Sequence, residues 1–289
     1  MTAWADTIIQ GILLGGLYAL YATGLSLIFG IMRLVNLAHG DLIVFGAFLI
    51  LIIANTLGVD SVVAFAISLP LMFAIGFVLQ KFLLNRTLGP DILPPLLVTF
   101  GLSIVIQNGL LEAFSADTRR LPIGDLAGMS VSLGGGLAVG ILPLASLATA
   151  VAVILLLNLL FYGTPLGRAL RATSDDSETA QLMGIDNARM YATAMGLAMA
   201  VCAVAAFFLG SRAPFDPSIG PARLIYAFEA VIIGGLGSLW GTLAGGIILG
   251  VAQTVGARIN PEWQILAGHV VFLVILVLRP RGLFPRAFD

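Results

Sequence analysis

Residues 225–256 read IYAFEAVIIGGLGSLWGTLAGGIILGVAQTVG, 32 residues in which Glu229 is the only charge. A membrane-crossing helix needs about 20 mostly apolar residues, so this run is too long for one ordinary crossing. It is interrupted by Gly234-Gly235-Leu236-Gly237-Ser238. Two half-helices meeting at that break would enter and leave the membrane on the same side. Irregular backbone at membrane depth is tolerated only inside protein or along a watery cavity, and interrupted helices in carriers commonly mark the substrate path. Gly234, Gly235, Gly237 and Ser238 are therefore candidates for lining a pathway. The alternative is a packing seam. Gly237, Gly241 and Gly245 repeat at four-residue spacing, as do Gly246 and Gly250, and such rows let helices approach closely. Both roles can hold.

The rest of the chain agrees about the solvent. Of 289 residues, 59% are hydrophobic and 10% charged, and mean hydropathy is +1.06. Soluble domains carry about 25% charged residues, and so few charges cannot cover a water-facing surface. A water-soluble enzyme is excluded. A net charge of −1 with no basic stripe excludes a nucleic-acid binder. Cys202 is the single cysteine, and His39 and His269 lie far apart, so no disulfide framework or zinc motif is present. Residues 1–6 lack the positive start of a cleaved signal, so the apolar run that follows is expected to stay in the membrane. Apolar windows fall at 7–32, 41–56, 61–84, 92–114, 137–162, 189–211 and 264–278, besides 225–256. They are continuous rather than alternating, which excludes a β-barrel. The expectation is an all-α polytopic membrane protein. It has about eight hydrophobic spans with broken or re-entrant half-helices, forming one transmembrane domain over 1–289.

Positive charge orients such helices. One arrangement puts Arg33, Lys81, Arg86, Arg168, Arg171, Arg189, Arg279, Arg281 and Arg286 in the cytoplasm and leaves Arg119, Arg120, Arg212, Arg223 and Arg258 outside. It is self-consistent when 225–256 re-enters, with the N-terminus external and the C-terminus cytoplasmic.

The longest charged loop is 163–189, GTPLGRALRATSDDSETAQLMGIDNAR, which holds Arg168, Arg171, Asp175, Asp176, Glu178, Asp186 and Arg189. Ser174 or Asp175 can cap a short helix there with Glu178 in its first turns. Ala180, Leu182, Met183 and Ile185 give that helix an apolar aspect, and Gly184 can end it. Such a helix can rest on lipid or dock into a partner's groove; a plain solvated loop is the alternative. The only lysine, Lys81, sits in no GxxxxGK[ST] pattern, so this chain has no P-loop for ATP. If transport is ATP-driven, the ATPase is another chain.

Polar residues within spans are functional candidates by default. Asn36, His39 and Asp41 cluster where the first crossing ends. They can line a pathway or form a local turn, with Asp41 spaced to cap the second helix. Glu229 can pair with Arg223 or Arg212, or attract an ammonium group. Gln107, Asn108 and Asn158 are expected to bond between helices, and Glu112 to reach water.

Three motifs then resemble one family in the same order. Glu178-Thr179-Ala180, three residues and Gly184 resemble the EAA-xxx-G loop of ABC-importer permeases, with Thr179 in place of the usual alanine. The run 24–41, GLSLIFGIMRLVNLAHGD, looks like the first-span signature of branched-chain amino-acid permeases of the LivH type. The runs 227–242 and 279–284, RPRGLF, are similar to that family's C-terminal segments. The resemblance implies a type II ABC-importer fold in the bacterial inner membrane, with Arg168, Arg171, Glu178, Ala180 and Gly184 in the ATPase-coupling loop. It implies a second permease of the LivM type, two cytoplasmic ATPases carrying ATP and Mg, and a periplasmic binding protein docking at 114–136 and 212–224. No cofactor is expected on this chain. Urea, short amides or other amino acids are alternative cargoes. An ion-gradient-driven secondary transporter is the rival class; it would place acidic residues mid-span, where they are nearly absent.

Overall fold

The computed structural model describes residues 2–89, 91–134 and 137–284, so Arg286 lies outside the described residues. Eleven helices follow in order: α1 Thr2–Met32, α2 His39–Leu57, α3 Ser61–Phe82, α4 Leu93–Phe114, α5 Ile141–Gly163, α6 Pro165–Asp175, α7 Ser177–Leu182, α8 Asn187–Arg212, α9 Gly220–Gly234, α10 Leu239–Ile259 and α11 Trp263–Leu278. An antiparallel hairpin of β1 Ser130–Gly134 and β2 Leu137–Gly140 precedes α5. It is the exception to the helical fold the apolar runs predict. Among the described residues, seven helices are long and apolar enough to cross a membrane: α1 to α5, α8 and α10. The 16-residue α11 is shorter, and the 15-residue α9 shorter still.

Burial separates a core from a periphery. The most apolar windows of α1 and α8 are 83% buried, whereas those of α3, α4 and α5 are 17–28% buried. The outer helices present Val78, Val105, Leu156 and Val277 outward, as a lipid-facing surface requires. Leu20, Leu25, Ile28, Ile43, Met195 and Met199 fill the centre.

Glycine is what lets α10 lie against α1. A Cβ on Gly246 would stand 2.7 Å from the Gly15 carbonyl oxygen, and one on Gly11 2.7 Å from the Val251 Cα. Association of helices in lipid draws on close packing instead of water exclusion, so these contacts hold the core. Gly241 and Gly245 serve the second seam, against Gly234 and Ala230 of α9. The seam reading of the glycine rows is therefore realised on two faces of one helix.

The 225–256 run is two antiparallel helices, α9 and α10, rather than one broken span. The turn between them sits at the end of the bundle that carries α6 and α7, where Gly237 and Ser238 approach Gly30 of α1 and Phe161 of α5. α10 alone is long enough to cross, so the break lies at an end of the bundle and not at mid-depth. The opposite end carries the hairpin: Gln10 reaches the Ala138 carbonyl at 3.4 Å, and Arg258 lies 5.1 Å over the Trp4 ring.

Overpacking a tight core commonly costs about 1–3 kcal/mol, and sometimes more. Gly246→Leu and Gly15→Leu should therefore reduce the yield of monodisperse detergent-extracted protein severely. Gly101→Ala and Gly109→Ala, where a Cβ meets nothing within 4 Å, should leave it unchanged. Size-exclusion chromatography of the four variants reads the difference.

Candidate functional site

The charged loop folds as two short helices across one end of the bundle. Thr164 caps α6, its hydroxyl accepting from Gly167 N–H at 3.0 Å. Asp176 caps α7, accepting from the N–H groups of Glu178 and Thr179 at 3.0 Å each. The cap is thus Asp176 and not Ser174 or Asp175: the Ser174 hydroxyl instead donates to the Gly30 carbonyl of α1 at 2.6 Å. The Thr179 hydroxyl and N–H hold the Asp176 carboxyl below the usual carboxylate range. A depressed value keeps the cap ionised at neutral pH and loses it only as acid approaches that lower value.

Around this cap the expected coupling residues take different postures. Ala180 is buried and anchors α7, while Arg168, Glu178 and Gly184 are exposed. Gly184 has φ +85° and ends the segment, a conformation that disfavours side chains. Leu182, the last residue of α7, and Met183 just after it are 87% and 79% exposed, so the expected apolar aspect is split: Ala180 faces the bundle and this pair points away from it. Arg171 is turned inward: its Nε donates to the Phe161 carbonyl at 3.2 Å and its guanidinium lies 4.7 Å over the Tyr162 ring.

Arg171 also lines a cavity of about 150 Å³ together with Gly237, Ser238, Ser26 and Asn158. The structure therefore joins the charged loop to the glycine turn, two features the sequence keeps some seventy residues apart. Asn158 faces this cavity. Ser238 caps α10, accepting from Gly241 N–H at 3.1 Å. Gly234 and Gly235 do not line that cavity; they are buried under Gly241 and Gly282. Residues 282–284 fold back so that Leu283 and Phe284 N–H bond the carbonyls of Ile233 and Gly234 at 2.9 and 3.0 Å. Those carbonyls end α9 and have no partner within it, which gives the RPRGLF segment a definite structural task.

Asn36, His39 and Asp41 are brought together, but not at the surface. After Met32 the chain turns at Arg33, φ +52°, and runs back into the bundle. His39 Nε2 meets the Tyr21 carbonyl at 2.7 Å, a point 11 residues before the end of α1, or about 16 Å along it. α2 thus begins inside the protein. Asn36 Oδ1 accepts from Ala38 N–H at 3.0 Å, and Leu37 N–H donates to the Thr99 hydroxyl at 3.2 Å. Asp41 does not cap α2, whose first residues have no side-chain cap. It accepts from the Ser103 hydroxyl of α4 at 2.6 Å and packs on Gly220 at the start of α9.

Glu229 pairs with neither arginine. Its buried carboxylate bonds His269 Nδ1, which ties α9 to α11; sequence reading had no signal for a partner 40 positions away. Gln107 bonds Ser103 within α4 at 3.2 Å and also reaches the Asp41 carboxyl of α2, as expected of a residue between helices, whereas Asn108 bonds only the Ile104 carbonyl of its own helix. Glu112 is exposed as expected.

Removing one partner of a desolvated pair strands the other. Glu229→Leu and His269→Leu should each lower the thermal unfolding midpoint, and the double variant should lose less than the sum, with a coupling of about 0.5–3 kcal/mol. Strict additivity would mean the contact contributes nothing.

The family described as branched-chain amino acid transport system / permease component matches residues 7–278. BraD of Pseudomonas aeruginosa, a high-affinity branched-chain amino acid transport system permease protein, is 30% identical over 98% of this chain and 96% of its own. LivH of Escherichia coli strain K12, of the same description, is 28% identical over 96% and 94%. Among solved structures, PsaBC from Streptococcus pneumoniae in complex with Fab is similar over 97% of both chains, with a TM-score of 0.50 and 15% identity.

Proposed function

We propose that this chain, which belongs to the branched-chain amino acid transport permease family, is the membrane-spanning subunit of an ATP-driven importer that carries branched-chain amino acids into the cytoplasm. The observation that carries the reading is α7: a capped helix with an apolar residue pair aimed outward, at one end of a full-length family match. An exposed Leu182-Met183 pair suits the groove of a partner better than it suits water. The partners are two ATPases that bind ATP and Mg, a second permease of the LivM type, and a binding protein at the hairpin end. The α6–α7 end is cytoplasmic, the N-terminus external, and the membrane the bacterial inner membrane. Among the described residues, Arg33, Lys81, Arg86, Arg168, Arg171, Arg189, Arg279 and Arg281 then lie inside, in keeping with positive charge retained there.

Motion enters through the short helices. When the ATPases close on nucleotide they displace α7. Asn187 of α8 donates to the Ser177 carbonyl at 2.6 Å, and Ser174 of α6 bonds α1. Arg171 faces the turn between α9 and α10 across the cavity they share. One displacement therefore reaches α1, α8 and the α9–α10 pair together, the elements that build the core. Alternating access of a cavity between two permeases follows.

Gly184→Val should cut co-purification with the ATPases and ATP-dependent leucine uptake by roughly tenfold, since a β-branched side chain at φ +85° is strained by about 1–3 kcal/mol. Glu178→Lys should act in the same direction. Membrane insertion should stay intact in both. Normal uptake and normal co-purification would remove the assignment of this loop.

A further inference from the structure

Arg212 closes α8 and Arg223 sits in the first turn of α9, both read from sequence as external loop residues. They instead line a half-open cavity of about 150 Å³ with Tyr18, Tyr21, Leu14 and Leu209. Its α1 residues begin 12 positions into that helix, about 18 Å along it, so the site is recessed from the hairpin end. Nη1 of Arg212 and Nε of Arg223 are buried without a hydrogen-bond partner. Among the described residues no carboxylate stands within 4.0 Å of either guanidinium. Glu229 is engaged by His269, and Asp41 by Ser103. The Tyr18 hydroxyl, on the wall of the same cavity, donates to Gln253 Oε1 at 2.6 Å. Both residues are half-buried, but a buried guanidinium N–H without an acceptor is costly, and a planar guanidinium is matched by a carboxylate that takes two parallel hydrogen bonds.

We propose that Arg212 and Arg223 form a recognition site for the carboxylate of the transported amino acid, with Leu14 and Leu209 receiving its aliphatic side chain. The proposal rests on the amino-acid reading above. It makes this chain a second checkpoint on cargo, after the binding protein. A surface acid of the binding protein is the competing anion, but the recess and its leucine and tyrosine walls favour a small amphipathic ligand.

The test uses the assembled transporter with Arg212→Gln, Arg223→Gln and the two Lys variants. Leucine and 4-methylpentanoate should raise the thermal unfolding midpoint of the wild-type complex, and leucinamide should not. Each Gln variant should abolish that shift and lower leucine uptake by about tenfold to a hundredfold, the usual effect of losing a hydrogen bond to a charged group. Each Lys variant should recover part of both, because charge remains without the fork. Complex yield and docking of leucine-loaded binding protein should persist. Normal uptake by the Gln variants, an equal shift from leucinamide, or no shift from leucine would overturn the proposal. Loss of binding-protein docking would overturn it in favour of the protein partner. A wild-type complex that moves no amino acid would instead overturn the functional reading, a failure visible before any variant is made.

Discussion

Inside a bilayer no water is at hand for a peptide N–H or C=O, and each one left unpaired costs several kcal/mol. Two places where this chain leaves the helix against its own core show how it meets that requirement. Between Met32 and His39 the backbone runs through the core, where the Asn36 amide oxygen and the Thr99 hydroxyl receive the N–H groups of Ala38 and Leu37, and the His39 side chain meets the Tyr21 carbonyl. Between Gly234 and Leu239 the turn is covered by residues 282–284, whose N–H groups meet the end of α9. Both departures lie against protein, and both are closed by a segment distant in sequence. The glycine seams complete the arrangement, since only side-chain-free helices could bring the supporting elements near enough.

The spans were readable because crossing a membrane demands a property that composition displays directly. Windows at 92–114 and 61–84 match α4 and α3 within a few residues. The loop at 163–189 was readable as a helix-bearing handle, yet its cap fell on Asp176, one residue after Asp175 and two after Ser174, whose hydroxyl is held by α1. Tertiary contacts of this kind leave no local trace. Asp41 had the spacing of a cap and is used to bind α4; Glu229 looked for an arginine and found a histidine on α11. The arginines at 212 and 223 were counted as loop charges for the same reason. Only the folded arrangement shows that both look into one recess and that, among the described residues, no acid forms an ion pair with either.

Charge is therefore distributed in two ways. At the α6–α7 end it is mostly exposed and available to partners, as at Arg168 and Glu178. Toward the hairpin end a smaller amount is withdrawn into the protein, where the low dielectric strengthens it. An importer needs both: a surface that a motor can grip and an interior that can distinguish cargo. Between them, α1 touches both the cavity under Arg171 and the recess of Arg212 and Arg223, so one continuous helix connects the grip to the recess.

The covering of α9 by Leu283 and Phe284 also bears on biosynthesis. The carbonyl of Ile233 waits for an N–H that lies 50 residues downstream, so α9 cannot be completed as the ribosome releases it. α10 and α11 must be inserted first, and only then does the tail reach back. The ends of α9 and α10 are consequently assembled late, in one closing event. An insertion fault in α11 would leave the carbonyls that end α9, the helix that carries Arg223, without these partners.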